Sequence, residues 1–286
     1  MNAAVQAFFH GPTFTVSYLV ADPTTGAGAV IDPVLDFDPK SGRTGTTSAD
    51  VILAAAEKAG IRIQWVLETH AHADHLSAAP HFKARSGAAV VIGAEITKVQ
   101  AVFGEVFNAP DLARDGRPFD RLVRDGDRLP LGQLEIEVLH TPGHTPACVT
   151  YRIGAAAFVG DTLFMPDYGT ARCDFPGGSA RTLYRSIRRV LSLPPETRLF
   201  LCHDYKAPGR SHFAWETTVA EERARNVHVR DGVSEDEFVA MREARDRTLD
   251  LPALILPSIQ VNIRAGNLPP AEANGTVYLK LPVNRL

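Results

Sequence analysis

Cysteine is scarce. Cys148, Cys173 and Cys202 are the three in 286 residues, an odd number and widely spaced. That argues against a disulfide framework and for a reducing compartment. Basic runs are missing too: 30 Lys and Arg face 33 Asp and Glu, the net charge is −3, and no run of five or more basic residues occurs. The electrostatic footprint of a nucleic-acid binder is therefore absent. No apolar run approaches the roughly 18–20 residues that span a bilayer. The N-terminal stretch MNAAVQAFFHGPTFTVSYLV has no basic n-region and is broken at His10-Gly11-Pro12, unlike a signal peptide. With 45% hydrophobic and 22% charged residues, the composition is that of a soluble globular protein. The cytoplasm is the expected location, with neither nucleic acid nor membrane as partner.

What the chain does have is concentrated in Thr69-His70-Ala71-His72-Ala73-Asp74-His75, three histidines and an aspartate within six positions. The stretch follows the apolar, β-branched run Ile61–Leu67, which reads as a buried strand. Ligand-type side chains thus sit where a strand ends, the place where sites collect in α/β sheets. Imidazoles with a carboxylate suit Zn, Fe, Mn or Co rather than the oxygen-seeking Mg or Ca.

Along the rest of the chain, residues 4–10, 14–21 and 27–32 read as an opening antiparallel meander separated by turn signals. Helices are expected over 49–59, 76–86, about 94–103, 179–193 (with Ser179 as N-cap), 214–228 and 234–247. Further strands are expected at 88–92, 134–139, 147–153, 155–160 and 198–202. The charged helices at 214–247 read as solvated faces, and the proline-punctuated residues 251–286 as an extension draped on a catalytic domain of residues 1–250. Strands, helices, strands, helix, strand is an order that suits an α/β fold of two packed sheets with helices outside, an αββα sandwich.

Three more strand ends carry potential ligands: His144 in His140-Thr-Pro-Gly-His144, Asp161 in Gly160-Asp161, and His203 in Cys202-His203-Asp204-Tyr205. Singly each has an ordinary structural explanation; their recurrence at strand ends does not.

The set His70-x-His72-x-Asp74-His75, His144, Asp161 and His203 resembles the metallo-β-lactamase superfamily, in order and spacing, over about residues 5–210. In a two-metal hydrolase of that kind, such as a glyoxalase-II-like thioesterase, His70, His72 and His144 would hold one zinc. Asp74, His75 and His203 would hold the other, with Asp161 bridging. The surrounding text resembles another branch. Arg172-Cys173-Asp174-Phe175 and His203-Asp204-Tyr205 are similar to the persulfide dioxygenases, while PDYGTARCDFPGG and PSIQVNIRAGNLPP look most like bacterial β-lactamase-hydrolase-like proteins. That resemblance implies one Fe(II) per chain on His72, His144 and Asp161, with His70, Asp74, His75 and His203 in support. It implies oxidation of glutathione persulfide by O2 to sulfite and glutathione, and a homo-oligomer.

Around the site, Arg172 and Asp174 are expected to form a buried bracing pair, with Arg172 also a substrate-binding residue. Tyr205 is expected to donate a phenolic hydrogen bond to substrate or bound oxygen, and Arg210 to meet a carboxylate of glutathione. Cys173 is expected to be a buried bystander, Cys148 and Cys202 to belong to the core, and His140 to be structural.

Overall fold

The computed structural model describes residues 2–285, so residues 1 and 286 of the two expected ranges lie outside it. The first half runs β1 (Ala4–His10), β2 (Thr15–Ala21), β3 (Ala27–Ile31), β4 (Val34–Asp38), β5 (Arg43–Gly45), α1 (Thr47–Lys58), β6 (Arg62–Leu67), β7 (Leu76–Ser77), α2 (Ala79–Ser86), β8 (Ala89–Gly93), α3 (Ile96–Val106) and β9 (Arg121–Val123). The second runs β10 (Arg128–Leu131), β11 (Leu134–His140), β12 (Val149–Ile153), β13 (Ala156–Phe158), α4 (Ala180–Val190), β14 (Arg198–Phe200), β15 (Glu216–Thr218), α5 (Val219–Arg225), α6 (Glu235–Asp246) and α7 (Ile255–Asn262).

Two six-stranded sheets result, in the orders β1-β2-β3-β6-β8-β9 and β10-β11-β12-β13-β14-β15, with a small third sheet of β5, β4 and β7. β2 and β3 are buried along their whole length, which requires apolar residues on both faces and gives near-continuous runs instead of alternation. Three apolar layers follow. Between the sheets, Tyr18, Ile31 and Leu67 meet Val138, Tyr151 and Phe200. Outside the first sheet, Ile52 of α1, Phe82 of α2, Phe103 of α3 and Ile259 of α7 cover Val30, Val66 and Val90. Outside the second, Leu183 and Ile187 of α4 and Phe238 of α6 cover Ala157 and Leu199. This is the expected αββα sandwich. Each fully buried large apolar side chain contributes roughly 1.5–3 kcal/mol relative to exposure.

Ser179 caps α4 as expected, accepting a hydrogen bond from Thr182 N, and Ser234 with Glu237 closes a capping box on α6. Two expectations are corrected, and the tail, expected as an extension packed on the same domain, contains a helix. The helix expected at 76–86 begins at Ala79, because Leu76–Ser77 pairs with Val34–Leu35 as a strand. The helix expected at 214–228 is strand β15 followed by the short α5; Glu216–Thr218 finds partners on β14 before Thr218 caps the helix. In the tail, α7 buries Ile255, Ile259, Val261 and Asn262 in the body. No helix among the described residues is long and apolar enough to cross a membrane.

Candidate metal centre

The two sheets pinch together at one edge. Val16 N, at the start of β2, donates to Cys202 O beyond β14 (2.7 Å), and Val149 N of β12 donates to Thr69 O beyond β6 (2.9 Å). Buried Tyr18 and Tyr151 reach the same edge, donating to the carbonyls of Leu201 (2.5 Å) and Glu68 (3.0 Å). The segments after β3, β6, β11, β13 and β14 therefore converge. Gly160 allows one close approach: its φ is +52°, and a Cβ there would lie 2.6 Å from Thr69 Oγ1.

The convergence gathers seven donors. His70, His144 and Asp161 form one group and His72, Asp74, His75 and His203 another, the ligand atoms within each group lying within 4.8 Å of one another. Asp161 stands between them, with Oδ2 3.6 Å from His144 Nε2 and 3.8 Å from His70 Nε2, and Oδ1 3.4 Å from His203 Nε2. Asp74 Oδ2 lies 3.4 Å from His203 Nε2. Two further sets, Asp32 with His72 and Cys202, and Asp161 with Cys202 and His203, meet the same distance, so the sets overlap, and His72 stands beside His70 with ring centroids 4.0 Å apart.

Each histidine is oriented by its other nitrogen. His144 Nδ1 donates to Arg172 O (2.7 Å), His203 Nδ1 to Phe14 O (3.3 Å), and His72 Nε2 to Asp32 Oδ1 (2.9 Å). His70 Nδ1 meets Thr69 Oγ1 (3.0 Å), whose hydroxyl donates to Asp32 Oδ2 (2.8 Å). His75 Nδ1 lies 3.2 Å from Asp74 Oδ2. Such partners set tautomer and ring orientation in metal sites. The nitrogens left over, His70 Nε2, His72 Nδ1, His75 Nε2 and His203 Nε2, are buried with no hydrogen-bond partner, as is Asp161 Oδ1. Buried polar atoms are rarely left so, and five orphans among these neighbouring donor sets fit metal binding.

The electrostatics agree. Burial, with the neighbouring His72 and His144 rings, holds His70 well below its usual pKa. Burial and His72 bring His75 down to about 4. Both rings are therefore neutral ligands at physiological pH. His203 goes the other way: against the cost of burial, Asp74, Cys202 and Asp161 raise it well above its usual value. Carboxylates that draw a proton onto a buried imidazole mark a place where positive charge is in demand.

Beneath the donors lies a polar layer that sequence reasoning missed. Asp32, read as the end of a strand, accepts from Thr69 N (2.7 Å), Thr69 Oγ1 and His72. Asn262 of α7 donates to His72 O (2.8 Å) and His75 O (2.7 Å) and accepts from Ser77 N (2.8 Å). The position after β3 was a signal for Asp32, since it is a strand end like the others; nothing local marks Asn262.

A cleft of about 390 Å³ opens onto Asp74, His144 and Asp161, with Phe14, Phe164, Tyr168, Phe175 and Tyr205 in its walls. Tyr205 stacks on His203, ring centroids 5.5 Å apart, and its hydroxyl forms no hydrogen bond among the described residues. Burial, then Asp74 and Asp161, push its pKa well up, so it stays protonated. Arg172 lines the cleft, but its fork is engaged by Asp174 (2.6 Å twice) and the Asp250 carbonyl (2.6 Å). It braces the loop whose carbonyl orients His144.

Arg210 departs from expectation. Its guanidinium is held by Asp204 (2.6 Å twice), Asp167 (2.7 and 3.3 Å) and His212 O (2.9 Å), and it is not among the cleft residues. Bidentate pairing with two carboxylates leaves no face of the fork for substrate. Within α6, read as solvated, Arg242 is 1% exposed and joins Asp246 (2.7 Å) to Thr170 O (3.0 Å). Cys148, Cys173 and Cys202 are all buried, and burial raises the Cys148 thiol to about 12 and the Cys173 thiol further. His140 Nε2 meets Pro146 O at 2.9 Å, a structural contact.

Comparison with known proteins agrees with this geometry. The family model described as the metallo-beta-lactamase superfamily matches residues 10–203. A probable metallo-hydrolase of Burkholderia pseudomallei is 60% identical over 99% of this chain and 99% of its own length. A beta-lactamase hydrolase-like protein of Xylella fastidiosa is 54% identical over 99% of this chain, which spans 65% of that protein. The human mitochondrial persulfide dioxygenase ETHE1 is 29% identical over 92% of this chain and 88% of its own. Among solved structures, ETHE1 from Myxococcus xanthus matches with a TM-score of 0.73 at 32% identity, covering 92% of this chain and all of that one (100%). The chain is an enzyme of the metallo-β-lactamase superfamily, with a His/Asp metal site at the shared edge of its two sheets.

Proposed function

We propose that the chain is an Fe(II)-dependent persulfide dioxygenase with one iron on His72, His144 and Asp161, acting on glutathione persulfide. The observation that carries this reading is that buried, unpartnered His72 Nδ1 and Asp161 Oδ1 lie at a cleft that His144 and Asp161 line, two imidazoles and one carboxylate. The likeness to ETHE1 proteins, which extends over 92% of the chain, supports it. A ferrous ion held by these residues would supply redox chemistry towards O2 and a soft sulfur anion. The balanced reaction takes glutathione persulfide, O2 and water to glutathione, hydrogensulfite and a proton.

The chain's own residues prepare that chemistry. Arg172 O and Asp32 hold the two ligand imidazoles so that His144 keeps Nε2 and His72 keeps Nδ1 for the metal. The aromatic walls exclude water from the reacting sulfur. Tyr205 keeps its proton and is a hydrogen-bond donor to anionic sulfur or oxygen in the cleft. His70, Asp74, His75 and His203 act in this reading as the polar wall around those ligands.

A second reading, a two-zinc thioesterase, is favoured by the second donor group itself, which is complete, and by the metallo-hydrolase name of the Burkholderia relative. Metal-free protein reloaded anaerobically with Fe(II) and given glutathione persulfide separates the two. The dioxygenase consumes O2 one-for-one with sulfite and holds about one iron per chain. No uptake, with zinc-dependent cleavage of a glutathione thioester and about two zincs per chain, would overturn the proposal in favour of the hydrolase.

A further inference from the structure

Three arginines line the cleft: Arg172, Arg242 and Arg245. The first two are committed, Arg172 to Asp174 and Arg242 to Asp246 and Thr170. Arg245 stands one turn beyond Arg242 on the same face of α6. It is exposed and has neither an ion pair nor a side-chain hydrogen bond among the described residues. Its charge is felt nearby: burial, Arg242 and Arg245 together lower His228, the ring that accepts from Thr170 N, to about 4. Just past the end of α6, Asp250 lines the same cleft. Its backbone carbonyl holds Arg172, whereas its carboxylate is exposed and unpaired among the described residues. One free cation and one free anion therefore share a rim whose other charged side chains face each other.

We propose that Arg245 and Asp250 form a subsite for a zwitterionic α-amino-acid group, Arg245 taking the carboxylate and Asp250 the ammonium. The cleft then selects carrier thiols that end in such a group, as glutathione does at its γ-glutamyl end. The inference rests on the persulfide reading for the sulfur end of the substrate and deepens it by naming what holds the other end. Arg245 offers a planar fork to the carboxylate, and the neighbouring anion rejects ligands that bring a carboxylate without an ammonium.

The test is calorimetric binding of free thiols to the metal-loaded protein, with no turnover required. Glutathione is compared with glutaryl-cysteinylglycine, which lacks the ammonium, and with N-acetylcysteinylglycine, which lacks the whole group. The expected result is that N-acetylcysteinylglycine binds about 10- to 100-fold more weakly than glutathione. Arg245→Ala should cost glutathione a similar factor and leave N-acetylcysteinylglycine unchanged, and Arg245→Lys should recover part of the loss. Asp250→Asn should weaken glutathione and spare glutaryl-cysteinylglycine. Equal wild-type affinity for all three thiols, equal weakening of all three by Arg245→Ala, or no binding of glutathione would overturn the subsite. Oxygen uptake run on the same preparations separates the two proposals. Absent uptake with thioester cleavage removes the dioxygenase, while the thiol affinities still decide the subsite.

Discussion

Asn262 lies 187 residues beyond His75, yet its side chain holds the backbone of the main ligand loop. Replacing it with alanine would strip partners from three buried groups at once: the carbonyls of His72 and His75 and the N–H of Ser77. A buried polar group left unpaired costs about 1–3 kcal/mol. Three of them, partly relieved by relaxation, give an expected loss of about 3–6 kcal/mol, a large share of a stability of about 5–15 kcal/mol. Asn262→Asp should be no better despite its near-identical shape. One oxygen can still accept from Ser77 N, but the other would face two carbonyl oxygens where the amide donated. The assay is urea denaturation of metal-free and metal-loaded protein, with metal affinity by competition against a chelator. Affinity should fall about 10- to 100-fold because the loop no longer holds His72 and His75 in place. A loss under about 1 kcal/mol with unchanged metal affinity in Asn262→Ala would refute the idea that α7 is part of the site.

Three further outcomes follow from the geometry. His144→Ala and Asp161→Ala should abolish iron loading and turnover, whereas His203→Ala should keep about one iron per chain and lower the rate only partly; loss of iron from the His203 variant, by elemental analysis, would sink the assignment of the triad. Gly160→Ala forces a Cβ against Thr69 at positive φ and should destabilise by about 2–4 kcal/mol in denaturant titration; a neutral effect would mean the sheets do not pinch there. Burial holds the Glu222 carboxyl at about 8, and its Oε1 has no partner. Between an unfolded value near 4.5 and 8 the folded chain keeps a proton that the unfolded chain has lost. Stability should therefore fall as pH rises through that window, with a slope of up to about 1.4 kcal/mol per pH unit. Glu222→Gln should flatten that slope, and an unchanged pH profile would refute the burial argument.

Much of the site was legible in the sequence because its donors lie at strand ends, and a strand end is a local pattern. His70 to His75 follow one apolar run directly, and His144, Asp161 and His203 each follow another, so periodicity placed seven candidate donors at strand ends, and the family resemblance grouped them into one site. The αββα architecture followed from the order of the same runs. Other features depended on contacts between distant segments. Arg210 carries no mark of the two carboxylates that occupy it, because Asp204 and Asp167 reach it only in the fold. Arg242, in a helix whose neighbours are charged, is buried because the Thr170 loop closes over it. His70 and His72 are equivalent by spacing. They differ in the fold by partner: Asp32 takes Nε2 of His72 and Thr69 meets Nδ1 of His70, so opposite ring nitrogens are left over.

The sequence by itself thus determined which side chains can bind metal, and on which elements, since residue type and strand periodicity are local properties. Tertiary structure alone decided how those donors divide into groups, which arginines are free, and that the last helix buttresses the first motif. Hydrogen bonds and ion pairs between segments far apart in the chain leave no periodic trace in either partner.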